Sequence, residues 1–311
     1  MVYKYLFGPV LSRRLGISLG LDLVPHKVCS LNCIYCEVGK TTLLTAERKE
    51  YVPVKHVIPE LRDYLSQKPK LDYITFSGAG EPTLNSGIGE IISFLKTEFS
   101  EYKIALLTNG ILFSSRRIRN EIIDVDLILP SLDAASEIVF QKINRPVEGV
   151  NVNDVIKGLV DLRKEFSGEI WLEIFLVPDI NDTKQELTLL KSAVTRINPD
   201  KVQLNSLDRP GTEPWIESIN REKIVQIAEF FKPLPVEIIT QPKQKNKAEN
   251  FNQNITEQIL ETIRRRPCTA DDLEAILALN TIDLNRYLNI LLEKGKIETI
   301  KQERGYFFRT T

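Results

Sequence analysis

The amino-acid sequence predicts an α/β fold: a partial, open parallel βα barrel of about six units, followed by a small domain of three helices and a hairpin. Three observations carry this. Short apolar runs rich in β-branched residues alternate about six times with stretches of helical spacing between residues 17 and 240. A polar segment, 241–254, nearly free of apolar side chains, then interrupts the rhythm and reads as a linker. Beyond it the pattern changes to three helical stripes and a two-stranded ribbon. A chain of 311 residues, 42% hydrophobic and 27% charged, can bury cores for two such domains.

Seven apolar runs are the expected strands: 17–25, 71–78, 102–110, 125–133, 170–178, 200–207 and 235–240. Most are bounded by Gly, Pro, Asn or Asp, as buried parallel strands are. The helices between them are expected at 54–66, 87–96, 151–163, 183–197 and 219–231; in the first, Val57, Ile58, Leu61 and Leu65 fall on one face. Six or seven strands are too few for a closed eight-unit barrel. In the second domain, 255–311, Ile255, Ile259, Leu260 and Ile263 form one stripe, ended by Pro267. Thr269 with Asp272 forms a capping box for a second helix carrying Leu273, Ile276 and Leu277. A third helix, from about 282 to 294, stops at Gly295, and 296–310 turns at Arg304-Gly305. This order is that of a winged helix-turn-helix.

No run of about 18 apolar residues is present, so a membrane-spanning class is excluded. The opening MVYKYLFGPVLSRRLG lacks an apolar run followed by a small-residue cleavage site, and a cytoplasmic protein is expected. Net charge is -1, which offers no global field for a polyanion.

The chemistry concentrates after the first expected strand. Three of the four cysteines, Cys29, Cys33 and Cys36, fall within eight residues, too close for good disulfides in a reducing compartment. Three thiolates on one loop can wrap a [4Fe–4S] cluster through three of its irons, leaving the fourth open for chemistry. A structural zinc site would want a fourth ligand that neither His26 nor a second cysteine pair obviously supplies, and a catalytic zinc would more usually recruit histidines, of which the chain has two.

Cys29-Ser-Leu-Asn-Cys33-Ile-Tyr35-Cys36 resembles the CxxxCxΦC signature of the radical S-adenosylmethionine (radical SAM) superfamily, with Tyr35 in the aromatic position. Further family-like segments follow in order: SGAGEP (77–82), similar to GGEP but with Ala79 between the glycines, then TNG (108–110), PSLD (130–133) and LVPDIND (176–182). All end strands, the edge where α/β sheets assemble sites. The resemblance covers residues 1–240 and implies a [4Fe–4S] cluster on Cys29, Cys33 and Cys36, S-adenosylmethionine as cofactor, and an external electron donor of the flavodoxin or ferredoxin type. It also implies reductive cleavage of the sulfonium to a 5′-deoxyadenosyl radical that abstracts hydrogen from a substrate. Around that cofactor, Gly78 and Gly80 would admit backbone carbonyls to its ammonium, and Glu81 would add a countercharge. Asn109, Ser131 and Asp133 suit its ribose hydroxyls or charged end, and Tyr35 its adenine. Each also has a plainer reading: turn glycines, a common Asn-Gly turn, a helix cap at Asp133.

FGPVLSRRLGISLGLDLVP, CEVGKTT (36–42) and INRP (143–146) look like a branch of the superfamily near wyosine-base synthases and molybdenum-cofactor synthesis enzymes. Wyosine synthases carry further cysteines for a second cluster. Here only Cys268 remains, so a second cluster is not expected, and Cys268 reads as a small residue near a helix start. Arg13, Arg14, Lys27, Lys40, Arg48 and Lys49 flank the loop, and Arg116, Arg117 and Arg119 follow the third strand. Converging, they would favour an anionic small-molecule or nucleotide- or tRNA-like substrate; the alternative is surface charge paired with neighbouring glutamates. A second class of function, a cluster- or metal-dependent DNA/RNA-binding regulator acting through the C-terminal domain, is weaker. That domain has nine basic and nine acidic side chains, and its third helix offers only Arg286 and Lys294 against Asp283 and Glu293.

Overall fold

The computed structural model describes residues 3–239, 255–277, 279 and 281–311; the expected linker 241–254 lies outside them. The strands are β1 (Leu6–Ser12), β2 (Gly16–Asp22), the two-residue β3 (Val28–Cys29) and β4 (Leu43–Leu44), β5 (Tyr73–Ser77), β6 (Ile104–Thr108), β7 (Leu127–Pro130), β8 (Glu169–Leu176), β9 (Lys201–Ser206) and β10 (Val236–Ile238). Helices α1 (Val54–Ser66), α2 (Ile88–Glu98), α3 (Arg116–Glu121), α4 (Glu137–Ile143), α5 (Val152–Glu165), α6 (Lys184–Ile197) and α7 (Arg221–Phe231) connect them.

One eight-stranded sheet runs β1-β2-β5-β6-β7-β8-β9-β10, open at both edges. Every pairing from β2 to β10 is parallel, and only β1 is antiparallel, on β2. The fold is therefore α/β with a mostly parallel sheet. All seven expected strands form, and β1 is additional. Ile74, Phe76, Ile104, Leu106, Ile128, Ile170, Leu172 and Val202 are fully buried against helix residues such as Val57, Leu61, Ile91, Leu159 and Leu190. Burying each such side chain stabilises the fold by ~1.5–3 kcal/mol before entropy is counted. Cap chemistry fixes several helix starts: Asn151, Thr183 and Asn220 each accept a backbone N–H through the side chain. Helix α4 takes Ser136, not Asp133, as its cap.

The C-terminal unit has α8 (Ile255–Arg265), α9 (Ala270–Leu277), α10 (Thr281–Glu293), β11 (Ile297–Gln302) and β12 (Gly305–Thr310). Its core gathers Ile259, Ile263, Cys268, Leu273, Leu284 and Leu288. The capping box closes reciprocally, Thr269 Oγ1 accepting from Asp272 N at 3.1 Å and Asp272 Oδ2 from Thr269 N at 3.0 Å. The hairpin turns at Glu303-Arg304, one residue before the expected pair. Among the described residues no helix is long and apolar enough to cross a membrane.

Candidate cofactor site at the cysteine loop

The cysteine loop starts at β3, beyond the C-terminal end of β2, and is gripped from three directions. From the glycine segment after β5, Ala79 O accepts from Lys27 N at 2.7 Å, and Glu81 N donates to Val28 O at 3.1 Å. The INRP segment after α4 accepts Asn32 N on Asn144 O (3.0 Å) and Ile34 N on Ile143 O (2.9 Å). Residues 211–213 close the third side, Thr212 Oγ1 donating to Cys36 O at 3.1 Å and Glu213 N to Ile34 O at 3.0 Å. Both glycines of SGAGEP serve this grip. A Cβ on Gly80 would stand 2.1 Å from Val28 O, and Gly78 (φ +94°) brings its backbone against Asp22.

Each cysteine sulfur has a side-chain N–H donor, and these three donors come from three segments; Cys29 also receives the Leu31 backbone N–H. Asn109 Nδ2 lies 3.7 Å from Cys29 Sγ and 2.9 Å from Ser30 Oγ, Asn144 Nδ2 lies 3.5 Å from Cys33 Sγ, and Lys27 Nζ lies 2.9 Å from Cys36 Sγ. Burial pushes the Cys29 thiol up to about 11 and the Cys33 thiol higher, Asp133 adding to the latter. Lys27 is 4% exposed. Burial alone would push its ammonium down, but the cysteines, Cys36 foremost, hold it above the usual lysine range. The three sulfurs are not drawn in around one ion: among the described residues no three His, Cys, Asp or Glu side chains form a single-ion ligand set. A cubane takes its thiolates on separate irons.

The two carboxylates expected at the cofactor both carry several hydrogen bonds within the fold. Glu81, 2% exposed, accepts from Thr83 N (3.1 Å), Thr83 Oγ1 (2.6 Å), Thr108 Oγ1 (2.7 Å) and Asn109 N (2.8 Å), clamping the end of β5 to that of β6. Asp133, also 2% exposed, accepts from Tyr35 OH (2.5 Å), Asn144 Nδ2 (2.7 Å) and Phe175 N (2.9 Å). Burial raises both pKa values against the pull of these donors. Tyr35 stacks on Phe175 with ring centroids 3.8 Å apart, so one ring face is already covered. Ser131 sits at the end of β7, and among the described residues its hydroxyl makes no hydrogen bond. The structure thus brings Gly78, Gly80, Glu81, Asn109, Tyr35 and Asp133 around the cysteine loop; among the described residues no hydrogen bond ties Ser131 to it.

The basic residues do not converge. Arg48 and Arg117 pair with Glu121, Arg116 and Arg119 with Glu165, Arg13 with Asp208, Arg14 with Glu173, and Lys49 with Glu47. Lys27 faces Cys36, and Lys40 is exposed. Asn144 and Gly211 escaped the sequence reading as site residues. A Cβ at Gly211 would stand 2.9 Å from Tyr35 O, and the only sequence signal was the INRP segment for the former.

Residues 23–190, more than half the chain, match the family model of the radical SAM superfamily. The chain belongs to the radical SAM superfamily. Enzymes of this superfamily use a [4Fe–4S] cluster and S-adenosylmethionine. This radical SAM chain is 30% identical over 310 residues to the UPF0026 protein MJ1312 of Methanocaldococcus jannaschii, covering 97% of itself and 94% of that protein. It is 35% identical over 295 residues to a Brachyspira hyodysenteriae protein named GTPase Obg, covering 94% of itself but only 43% of that protein's length. A radical SAM methyltransferase from Sphaerobacter thermophilus shares the fold at TM-score 0.54 and 18% identity, over 71% of this chain and 66% of that one.

Proposed function

We propose that Cys29, Cys33 and Cys36 hold a [4Fe–4S] cluster, that S-adenosylmethionine binds beside it against the Gly78–Gly80 segment with Asn109 and Ser131 at its edge, and that the enzyme abstracts hydrogen from a small organic substrate. The observation that carries this is the set of three side-chain donors, one per sulfur, with Lys27 among them. A nearly buried ammonium whose only hydrogen-bond partner among the described residues is a sulfur is costly unless that sulfur belongs to an anionic group. Thiolate ligands of a cluster meet that requirement, and hydrogen bonds to the sulfurs are one of the protein's levers on it. When bound, the cluster supplies the electron that cleaves the sulfonium to methionine and a 5′-deoxyadenosyl radical.

The chain's own residues position and shield. Asn109 and Asn144 orient Cys29 and Cys33, the INRP segment and residues 211–213 hold the loop closed, and Glu81 and Asp133 fix the strand ends that carry these groups. In this reading the electron comes from an external donor of the flavodoxin or ferredoxin type in a reducing cytoplasm. The C-terminal unit follows the element order of a winged helix, but its arginines Arg265 and Arg304 turn inward to Asp22 and Asp208, which favours a place in the enzyme body over DNA reading.

Anaerobic reconstitution with iron and sulfide tests the proposal. Wild type should gain a broad brown absorbance and, with dithionite and S-adenosylmethionine, yield 5′-deoxyadenosine; Cys33→Ala should lose both. A wild-type protein that takes up no cluster and yields no 5′-deoxyadenosine overturns it.

A further inference from the structure

A cavity of about 1300 Å³ lies between the sheet and the C-terminal unit, lined by β1, β2, the Ser77–Ala79 strand end, α8 and α9. It exceeds the ~300–1,000 Å³ of an ordinary single-ligand pocket. Through Gly78, Ala79 and Glu37, the neighbour of Cys36, it reaches the cofactor site proposed above. Four arginines line it, and two of them, Arg264 and Arg265, pair with Glu261 and Asp22; the other two are Arg14, from the turn after β1, and Arg266, from just beyond α8.

Their pairing is uneven. Arg14 is bonded to Glu173, whereas among the described residues the Arg266 guanidinium has no hydrogen bond and no ion pair. The two acids that act on Arg266 are Glu37 and Asp272, and both are engaged by Arg209, whose Nε stands 3.5 Å from Glu37 and whose Nη1 donates to Asp272 at 2.7 Å. Burial, then the like charges of Arg13 and Arg266, pushes Arg14 down to about 10, and burial followed by Arg209 lowers Arg266. The fold thus holds at a cavity wall a guanidinium that has no hydrogen bond or ion pair of its own among the described residues. A planar donor fork is suited to a carboxylate or phosphate.

We infer that this cavity seats a small substrate by an oxyanion, a carboxylate or phosphate, held between Arg14 and Arg266, so that the C-terminal unit supplies part of the substrate site. This deepens the radical-enzyme reading and rests on it for the word substrate; the binding itself does not. Among the described residues the other arginines considered at the mouth, Arg13, Arg48, Arg116, Arg117 and Arg119, are each paired with an acid, so the anion preference is argued from Arg14 and Arg266.

Whole-chain protein is titrated with inorganic phosphate and with succinate, read by melting temperature and calorimetry without reductant, so the result is independent of 5′-deoxyadenosine formation. Wild type should bind at least one of them saturably. Arg266→Gln should weaken that binding about tenfold or more and, having lost no hydrogen bond or ion pair among the described residues, should melt no lower than wild type when unliganded. Arg117→Gln, at an exposed residue paired with Glu121, should bind as wild type does. The inference is overturned if neither anion binds wild type, if Arg266→Gln binds unchanged, if that variant alone is destabilised without ligand, or if S-adenosylmethionine displaces the anion from reconstituted protein.

Discussion

Lys27 adopts φ +56°, a left-handed conformation that costs a non-glycine residue ~1–2 kcal/mol. Its N–H bond to Ala79 O and the bond its own carbonyl accepts from Thr42 N (3.0 Å) hold it there, and the geometry delivers Nζ to Cys36. A positive charge beside a cluster favours the form with the added electron. Lys27→Met keeps the length of the side chain and removes the charge, so the reduction potential of the reconstituted cluster should move to more negative values in an EPR-monitored titration. An unchanged potential would remove Lys27 from the list of residues that tune it. The cysteines were legible in sequence because their spacing is local. Their donors were not legible as donors, since Asn109 and Asn144 stand 80 and 111 residues from the sulfurs they contact and no periodicity reports such pairs. The long-range donors of Glu81 and Asp133 were hidden for the same reason, since Asn109 N and Phe175 N stand 28 and 42 residues from the carboxylates they bond.

Elements were readable where local pattern and burial agree. The seven parallel strands are short, β-branched and flanked by breakers, and five helices long enough to show a stripe appeared within about two residues of their expected bounds. Strand β1 gave no such signal: Gly8-Pro9 interrupts it, and its register on β2 shifts between Phe7 and Val10, which breaks alternation. Helices α3 and α4, six and seven residues long, are too short for a helical period to declare itself. The segment between β5 and α2 shows how an element end builds a site. Gly80→Ala would place a methyl 2.1 Å from the Val28 carbonyl, a backbone atom that moves only with the cysteine loop. Unfolding by urea should show a loss of ~1–3 kcal/mol, and reconstituted protein should hold less iron per chain. Wild-type stability together with wild-type iron content would refute the close-approach account of this glycine.

Composition marked a break between the two units of the molecule but could not show how they meet, because the contact is made by charges paired across long distances. Arg265 bonds Asp22 at 2.9 Å and lies 4.3 Å over the Phe7 ring. Arg209, 5% exposed, joins Pro267 O (2.8 Å) and Asp272 (2.7 Å), while Arg304 spans Asp272 and Asp208. Near-neutral overall charge thus conceals a network of both signs at the junction. Asp272 is its centre: burial raises its pKa, but Arg209, the Thr269 N–H and Arg304 outweigh burial and hold it below the ordinary carboxylate value. A depressed acid of this kind contributes stability that is present above its unfolded value, about 4, and is lost as pH falls through the folded one. Docking of the C-terminal unit should therefore persist at pH 5 and weaken in more acidic solution. Asp272→Asn keeps the shape of the side chain but takes from the buried Arg209 the carboxylate to which it donates, and should lose ~1–3 kcal/mol at pH 7. Between pH 5 and 3.5 its urea-unfolding stability should also fall less steeply than that of wild type, because the group whose protonation drives part of the fall is gone. Equal slopes for the two proteins would mean that Asp272 is not the acid-sensitive member of the junction.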